Sequence, residues 1–448
     1  MPSDLSQLGF LLFVSALVAM LTRRLRMPYT VGLVLAGMGL YLFHIHLQWY
    51  LSKELIFSTF LPPLVFEAAL VISWREFKRD LPVLSLLATM GVLLAAAVTA
   101  IGMHYALQWD WGSATVFGAL IAATDPVSVI ATFKESGVGG RLRLLIEAES
   151  LLNDGTAAIG FVVALGFLGT DHQDFASIAH TLLLTIVGSP LIGCAVACGF
   201  MFLAGRTPDY LVEITFTTLA AYGSFFVAEH FHCSGVLAAL TAGLVVGNFR
   251  SSALISGAIR DPHDSFWDYL ASIGDSMVLF LVGAPEELRH YRPSPSLTDT
   301  GRQILEPFWE YVAFISNSLV FLLIGAQEAE QHFRGLWLPV IVAIVLVMIG
   351  RAVGIYPLCA LFARSRLKVE FRHQHVLFWG GLRGALALAL ALAVPETVPR
   401  HDAIITITFA VVAFSIFAQG LTIPRLLHRM GEIDSPARTS RSAGGEAE

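Results

Sequence analysis

Apolar runs of about 17 to 25 residues recur from the start of the chain almost to its end, each long enough to cross a hydrocarbon core of about 30 Å as a helix. The 448 residues are 56% hydrophobic and only 14% charged, far from the roughly one-quarter charged composition of a soluble domain. The expected fold class is therefore an all-α polytopic membrane protein that fills nearly the whole chain. Runs bounded by charge or by Pro and Gly place about thirteen crossings, near 6–22, 29–47, 51–73, 82–107, 112–133, 144–169, 178–204, 209–230, 234–249, 308–326, 336–363, 372–394 and 401–427. The first run, "LGFLLFVSALVAMLT", has no basic residue before it and "RRLR" after it. That order is the reverse of a signal peptide, so the run is expected to stay as a crossing.

Basic residues gather in alternate loops: Arg23, Arg24 and Arg26; Arg75, Lys78 and Arg79; Lys134, Arg141 and Arg143; Arg206; Arg250 and Arg260; Arg364, Arg366, Lys368 and Arg372. The opposite loops, such as "GTDHQD" and "VPETVPRH", are poor in Lys and Arg. The positive-inside rule then puts the N-terminus outside and the C-terminus in the cytoplasm of a cell (inner) membrane. One segment strains this count. "FWDYLASIGDSMVLFLVGA" at 266–284 is a near-copy of "FWEYVAFISNSLVFLLIGA" at 308–326. If both crossed, the basic loop "RSRLKVEFR" would fall outside, so only the second copy is expected to span. The first is expected to be peripheral, re-entrant or part of a cytoplasmic insertion over 250–307, with an ordinary extra crossing as the alternative. The polar, Gly- and Ser-rich segment 431–448 is expected to be a disordered cytoplasmic tail. The four cysteines show no disulfide or metal-ligand spacing.

Charged residues at membrane depth carry the functional signal, because an ionisable side chain there is tolerated only against a partner or a cavity. In "EAESLLNDGTAAIG" (147–160) Asp154 falls close to the bilayer midplane, and Ser150, Asn153 and Asp154 follow the i, i+3, i+4 spacing of one helix face. A purely structural polar cluster is the plainer reading. In "GALIAATDPVSVIATF" Asp125 also lies near mid-depth, and Pro126 is expected to interrupt the helix around Ala122 to Asp125. "FWGGLRGALALALALAVP" sets three glycines around Arg383 and reads as a second broken helix. The two runs enter from opposite sides, the pattern of inverted repeats whose broken helices cross at the midplane. Arg383 would supply positive charge where half-helix C-termini converge, or would only anchor packing through carbonyl hydrogen bonds. Glu67 and Arg351 also sit in apolar runs. A buried Glu149–Arg351 ion pair is the economical assignment, structural rather than catalytic. Glu67 would either donate to Asn153 or contact the ion, and Glu147, close to the cytoplasmic surface, reads as a solvated or funnel residue with no firm role. His373 and His375 lead into the Arg383 helix as pH sensors or as ordinary interfacial residues.

The motifs "FLPPLVFEAAL", "ATDPVSV", "ESLLNDGTA", "SGVLAALTAGLVVGN", "SNSLVFLLIG" and "GGLRGALALALAL", in this order over roughly residues 10–430, resemble the cation/proton antiporter-1 family of NhaP-type sodium/proton exchangers. The resemblance implies an NhaA-like fold with inverted repeats and two crossing discontinuous helices. It implies core helices near 82–169 and 308–427, with dimerisation helices near 6–47 and 178–249, in a homodimer within the lipid bilayer. It further implies Asp154 as the cation and proton carrier, with Asp125, Ser150, Thr124 and Glu67 around a Na+ ion held at Asp125 and Asp154. Asn before the essential aspartate, here Asn153, implies electroneutral exchange of one cation for one proton. The implied function is exchange of Na+, and also Li+, for H+ in pH homeostasis, with K+/H+ exchange on the same fold as the alternative. No cofactor, enzymatic activity or nucleic-acid partner is implied. An intramembrane hydrolase finds no Gly-x-Gly-Asp, His-Glu-x-x-His or Gly-x-Ser-x-Gly motif, and a passive channel fits broken helices of opposed direction less well than alternating access.

Overall fold

A computed structural model describes residues 4–25, 27–43, 51–168, 183–206, 209–254, 299–331 and 335–432. Among these residues the chain is helical with no strand. The elements, in chain order, are α1 (Asp4–Leu25), α2 (Tyr29–Leu42), α3 (Leu55–Leu70), α4 (Trp74–Leu107), α5 (Trp111–Leu120), α6 (Val127–Ser136), α7 (Gly140–Leu168) and α8 (Leu184–Ala204). They continue as α9 (Tyr210–His230), α10 (Gly235–Leu254), α11 (Asp299–Glu330), α12 (Trp337–Leu361), α13 (Phe371–Gly380), α14 (Ala385–Leu392) and α15 (His401–Met430). Eight of the described helices contain stretches of 20 to 34 residues apolar enough to cross a bilayer, and α2, α3 and the Gly235–Asn248 part of α10 are shorter apolar helices. The near-copy at 266–284 and the tail beyond 432 lie outside the described residues.

Two boundaries differ from the sequence expectation. Helix α4 starts at Trp74 rather than near 82, because "WREFKRD" is amphipathic: Phe77 and Asp80 are buried while Arg75, Glu76, Lys78 and Arg79 face out. Its first N–H is capped by the Asn248 side-chain oxygen at 2.8 Å. Helix α11 starts at Asp299 and runs 32 residues through Pro307, so the end of the expected insertion over 250–307 is helical. The extension carries Leu305, buried in one cluster with Phe66 and Trp309; the Trp309 indole donates to Thr217 Oγ1 at 3.1 Å and its ring lies 4.6 Å from that of Phe66.

The chain divides into two compact units. One comprises 54–79 and 169–317. Its described helices α3, α8, α9 and α10 pack through small side chains, with Ala197, Ala204, Ala220, Ala221 and Ala242 fully buried around Phe66 and Trp309. Small residues let helix backbones approach closely where lipid offers no hydrophobic drive to associate. Tyr222 Oη donates to the Thr59 carbonyl, and Asn248 Nδ2 to that of Ile72.

The other unit comprises 1–53, 80–168 and 318–448. Here the second half of α4 packs on α5 and α12, while α7 packs on α5, and Tyr29 Oη lies 2.7 Å from Ser318 Oγ. Two helical tracks in this unit are broken. Residues 121–126 separate α5 from α6, and residues 381–384 separate α13 from α14. Pro126 lacks the N–H that a continuous helix would need, and the Gly380–Gly381 pair lowers helix propensity at the second break.

Helices α4 and α12 touch backbone to backbone at Gly91 and Gly354. A Cβ on Gly354 would lie 2.7 Å from the Gly91 carbonyl oxygen, and one on Gly91 would lie 3.0 Å from that of Gly354. Gly354→Val is expected to destabilise the protein by about 1–3 kcal/mol through overpacking. Thermal unfolding in detergent checks this against Gly39→Val, whose added atoms meet open space and leave the midpoint unchanged.

Candidate functional site

The two breaks meet. The Asp125 backbone N–H donates to the Leu382 carbonyl at 2.8 Å, an antiparallel bridge that joins one unwound segment to the other. The carbonyls left free at the end of α5 are taken by Arg383, which is 2% exposed. Its Nη1 donates to Ala122 O at 2.5 Å and to Ala123 O at 2.8 Å. A guanidinium suits this place because helix C-termini carry partial negative charge and a fork of donors reaches two carbonyls at once.

Asp125 answers the opposite charge. Its carboxylate accepts from the Val127 N–H at 3.0 Å and from the Ala385 N–H. These are the first residues of α6 and α14, so one carboxylate caps two helix N-termini, where partial positive charge accumulates. Gly384 makes the arrangement possible, because a Cβ there would overlap the Asp125 carboxylate.

At the end of α13 the second buried arginine, Arg351 of α12, donates from Nη2 to the Leu377 carbonyl at 3.1 Å. It also holds Glu149 of α7 through two bonds, Nη1–Oε1 at 2.7 Å and Nη2–Oε2 at 2.9 Å. Glu149 is 3% and Arg351 8% exposed. Two parallel bonds between planar groups give the strongest geometry such a buried pair can have.

The polar face of α7 meets the first break at Thr124. Ser150 Oγ donates a short hydrogen bond to the Thr124 carbonyl, and Asn153 Nδ2 donates to Thr124 Oγ1 at 2.9 Å. Ser150, Asn153 and Thr124 are all at most 2% exposed. Two further oxygens on this face, Asn153 Oδ1 and Asp154 Oδ1, are buried and accept no hydrogen bond from the described residues. The charges acting on Asp154 include those of Asp125 and Glu149. Carboxylate, amide, hydroxyl and carbonyl oxygens are thus grouped at one place, the donor set that a hard monovalent cation takes. Among the described residues no cluster of three His, Cys, Asp or Glu side chains could hold a transition metal.

Among the other residues singled out in the sequence, Glu67 is half-buried on α3. Glu147, expected to be solvated, is instead buried at 6% exposed, because it pairs with Arg143 one turn away at 2.9 Å. His375 Nδ1 lies 2.6 Å from Tyr356 Oη, and His373 Nε2 lies 3.3 Å from Glu432. Exposed Glu370, just ahead of α13, is held below the usual carboxylate range by the hydrogen bond and charge of Arg372. A fully buried Asp80 that the sequence reading passed over binds Arg141 at the start of α7 at 2.7 Å, and Arg141 also reaches the Leu367 and Lys368 carbonyls. The signal was available: an aspartate placed i+3 from Phe77 shares the buried face of an amphipathic turn.

The sequence profile of the family described as "Sodium/hydrogen exchanger, transmembrane" matches residues 10–284 and 272–429. The chain belongs to this family. It is 36% identical over 419 residues to the Na(+)/H(+) antiporter ApNhaP of Aphanothece halophytica, covering 92% of this chain and 71% of the relative. It is 34% identical over 448 residues to the low-affinity Na(+)/H(+) antiporter NhaS1 of Synechocystis sp., covering 97% and 76%. The fold is shared with the sodium proton antiporter MjNhaP1 of Methanocaldococcus jannaschii, with a TM-score of 0.66 at 16% identity over 95% of this chain and 96% of that one. This is the all-helical membrane fold read from the sequence motifs.

Removing one partner of a buried pair leaves an uncompensated charge. Arg351→Met is therefore expected to destabilise the protein by about 3–5 kcal/mol, seen as a lower unfolding midpoint and a smaller folded fraction in detergent. Adding Glu149→Met is expected to recover most of that loss, with the freed Leu377 carbonyl as the remainder.

Proposed function

We propose that the chain is a Na+/H+ antiporter whose carrier group is Asp154. One observation supports this above the others: a buried carboxylate oxygen without a protein donor, on the helix face that meets the unwound Thr124. A carboxylate in that position is strongly penalised when ionised and alone. A bound proton relieves the penalty, and so does a bound cation, but the same oxygens cannot hold both. Competition of this kind couples the two flows without any covalent step.

The Ser150 hydroxyl, the Thr124 carbonyl and the Asn153 amide oxygen supply the neutral ligands around the cation. Asp125 lends negative charge nearby while its own oxygens cap two helices. The loaded, neutralised site is exposed to one side of the membrane and then the other, because crossing with a bare carboxylate is the most expensive step. With an amide rather than a second carboxylate at position 153, one proton replaces one cation and exchange is electroneutral. The distribution of basic loops supports an N-terminus outside and a C-terminus in the cytoplasm. The relatives' names favour Na+; Li+ is small enough to use the same oxygens, and K+ exchange is the competing reading.

Purified protein in sealed proteoliposomes tests the proposal. Addition of Na+ or Li+ is expected to dissipate an imposed proton gradient, and Asp154→Asn is expected to abolish this while the protein stays folded and monodisperse. Full activity in that variant would sink the assignment. In the same vesicles, an imposed membrane potential is expected to leave Na+ uptake unchanged, whereas potential-driven uptake would rule out one-for-one exchange.

A further inference from the structure

The two breaks are satisfied in parallel ways. At the first, an arginine takes Ala122 O and Ala123 O, and a neutral donor from a neighbouring helix, Ser150, takes Thr124 O. At the second, Arg351 takes Leu377 O, and the neutral donor is Gln419, whose Nε2 reaches Trp379 O at 3.1 Å. Gln419 is 3% exposed and stands on a π-helical segment of α15, Ser415–Gly420. Wide turns of this type inside membrane helices cluster at functional places. One turn further on, Thr422 Oγ1 accepts the Trp379 indole N–H at 2.7 Å, so α15 holds both the backbone and the side chain of Trp379. Only the nitrogen of the Gln419 amide makes this contact, and its other near neighbour is Met348 Sδ at 3.6 Å.

Trp379 precedes the Gly380–Gly381 pair and stands three residues before Leu382, whose carbonyl receives the Asp125 N–H. Between them Gly380 O accepts from the Leu382 N–H at 2.9 Å. The glycines give this stretch no side chains to fix its course. Its course is constrained by Gln419 at Trp379, by the close packing of Gly381 on the Arg351 guanidinium and by the bridge at Leu382.

We propose that Gln419 is a positioning residue for cation exchange: by holding the Trp379 carbonyl it fixes the end of α13, and through Leu382 the placement of Asp125 and the adjoining Thr124. The inference rests on the exchange activity proposed above. Gln419 touches no transported ion, so its loss acts on the shape of the site rather than on its charge.

The experiment compares the Na+ dependence of proton exchange in proteoliposomes for the native protein, Gln419→Leu and Gln419→His. Gln419→Leu fills the space without a donor and is expected to raise the apparent KM for Na+ by about three- to tenfold, the weight of one hydrogen bond, with maximal rate within about twofold. In Gln419→His the ring Nε2–H reaches a similar distance and is expected to restore the native KM. Thr422→Val frees the indole and the hydroxyl's backbone acceptors Ala418 O and Gln419 O but leaves the Gln419 amide donor to Trp379 O in place; it is expected to leave KM unchanged, which provides a folded reference should Gln419→Leu assemble poorly. An unchanged KM in Gln419→Leu, a fall in maximal rate alone, or a histidine variant no better than leucine would each overturn the proposal. If the native protein itself shows no cation-dependent exchange, it is the underlying function that fails.

Discussion

Four helix ends meet inside one packed unit, and their unpaired backbone groups carry partial charges of about half an elementary charge each. In a medium of low dielectric such ends must be neutralised where they stand, and the rest of the site follows from how this is done. Arg383 and Arg351 take the two negative ends, and Asp125 takes both positive ones. Arg351 in turn is matched by Glu149. Two arginines therefore stand against the carboxylates of Glu149 and Asp125. Asp154 is the carboxylate left over, and it has a buried oxygen that no described group satisfies. The crossing thus creates the need for fixed charges, and Asp154 stands beside it as a carboxylate that neither arginine holds by a hydrogen bond among the described residues.

Much of this is legible in the sequence because breaks in membrane helices leave local marks. Pro126 cannot continue a helix, and glycines on both sides of Arg383 mark the second interruption without reference to any distant residue. The pairing of Glu149 with Arg351 follows from cost alone, since neither charge could be buried singly, and their atoms lie 2.7 Å apart. What the sequence does not carry is which backbone atom each side chain reaches. Arg383 finds its carbonyls far back along the chain at Ala122 and Ala123, and nothing in the spacing encodes that.

Asp125 illustrates a second limit. An acidic residue at mid-depth reads as an ion ligand, and the sequence does not show that its carboxylate also accepts from two backbone N–H groups, a role visible only once α14 is brought against α6. Gln419 was passed over for a different reason: one amide in a long apolar run carries no periodic signal, although a buried amide needs a partner as surely as a charge does. Helix starts were the least legible feature. The polar residues of "WREFKRD" look like a loop until one buried face is counted, and "DTGRQILEP" likewise belongs to the helix it opens.

Both positive groups at the crossing are guanidinium ions, which keep their proton throughout the range in which a cell operates. An ammonium in either place would be a second group able to change charge, and the electric field across the unwound segments would then drift with acidity. With arginines the positive charges of the crossing stay the same across that range. Any response to pH at this place therefore falls to the carboxylates beside the arginines, while the two positive charges that hold the broken helix ends together stay as they are.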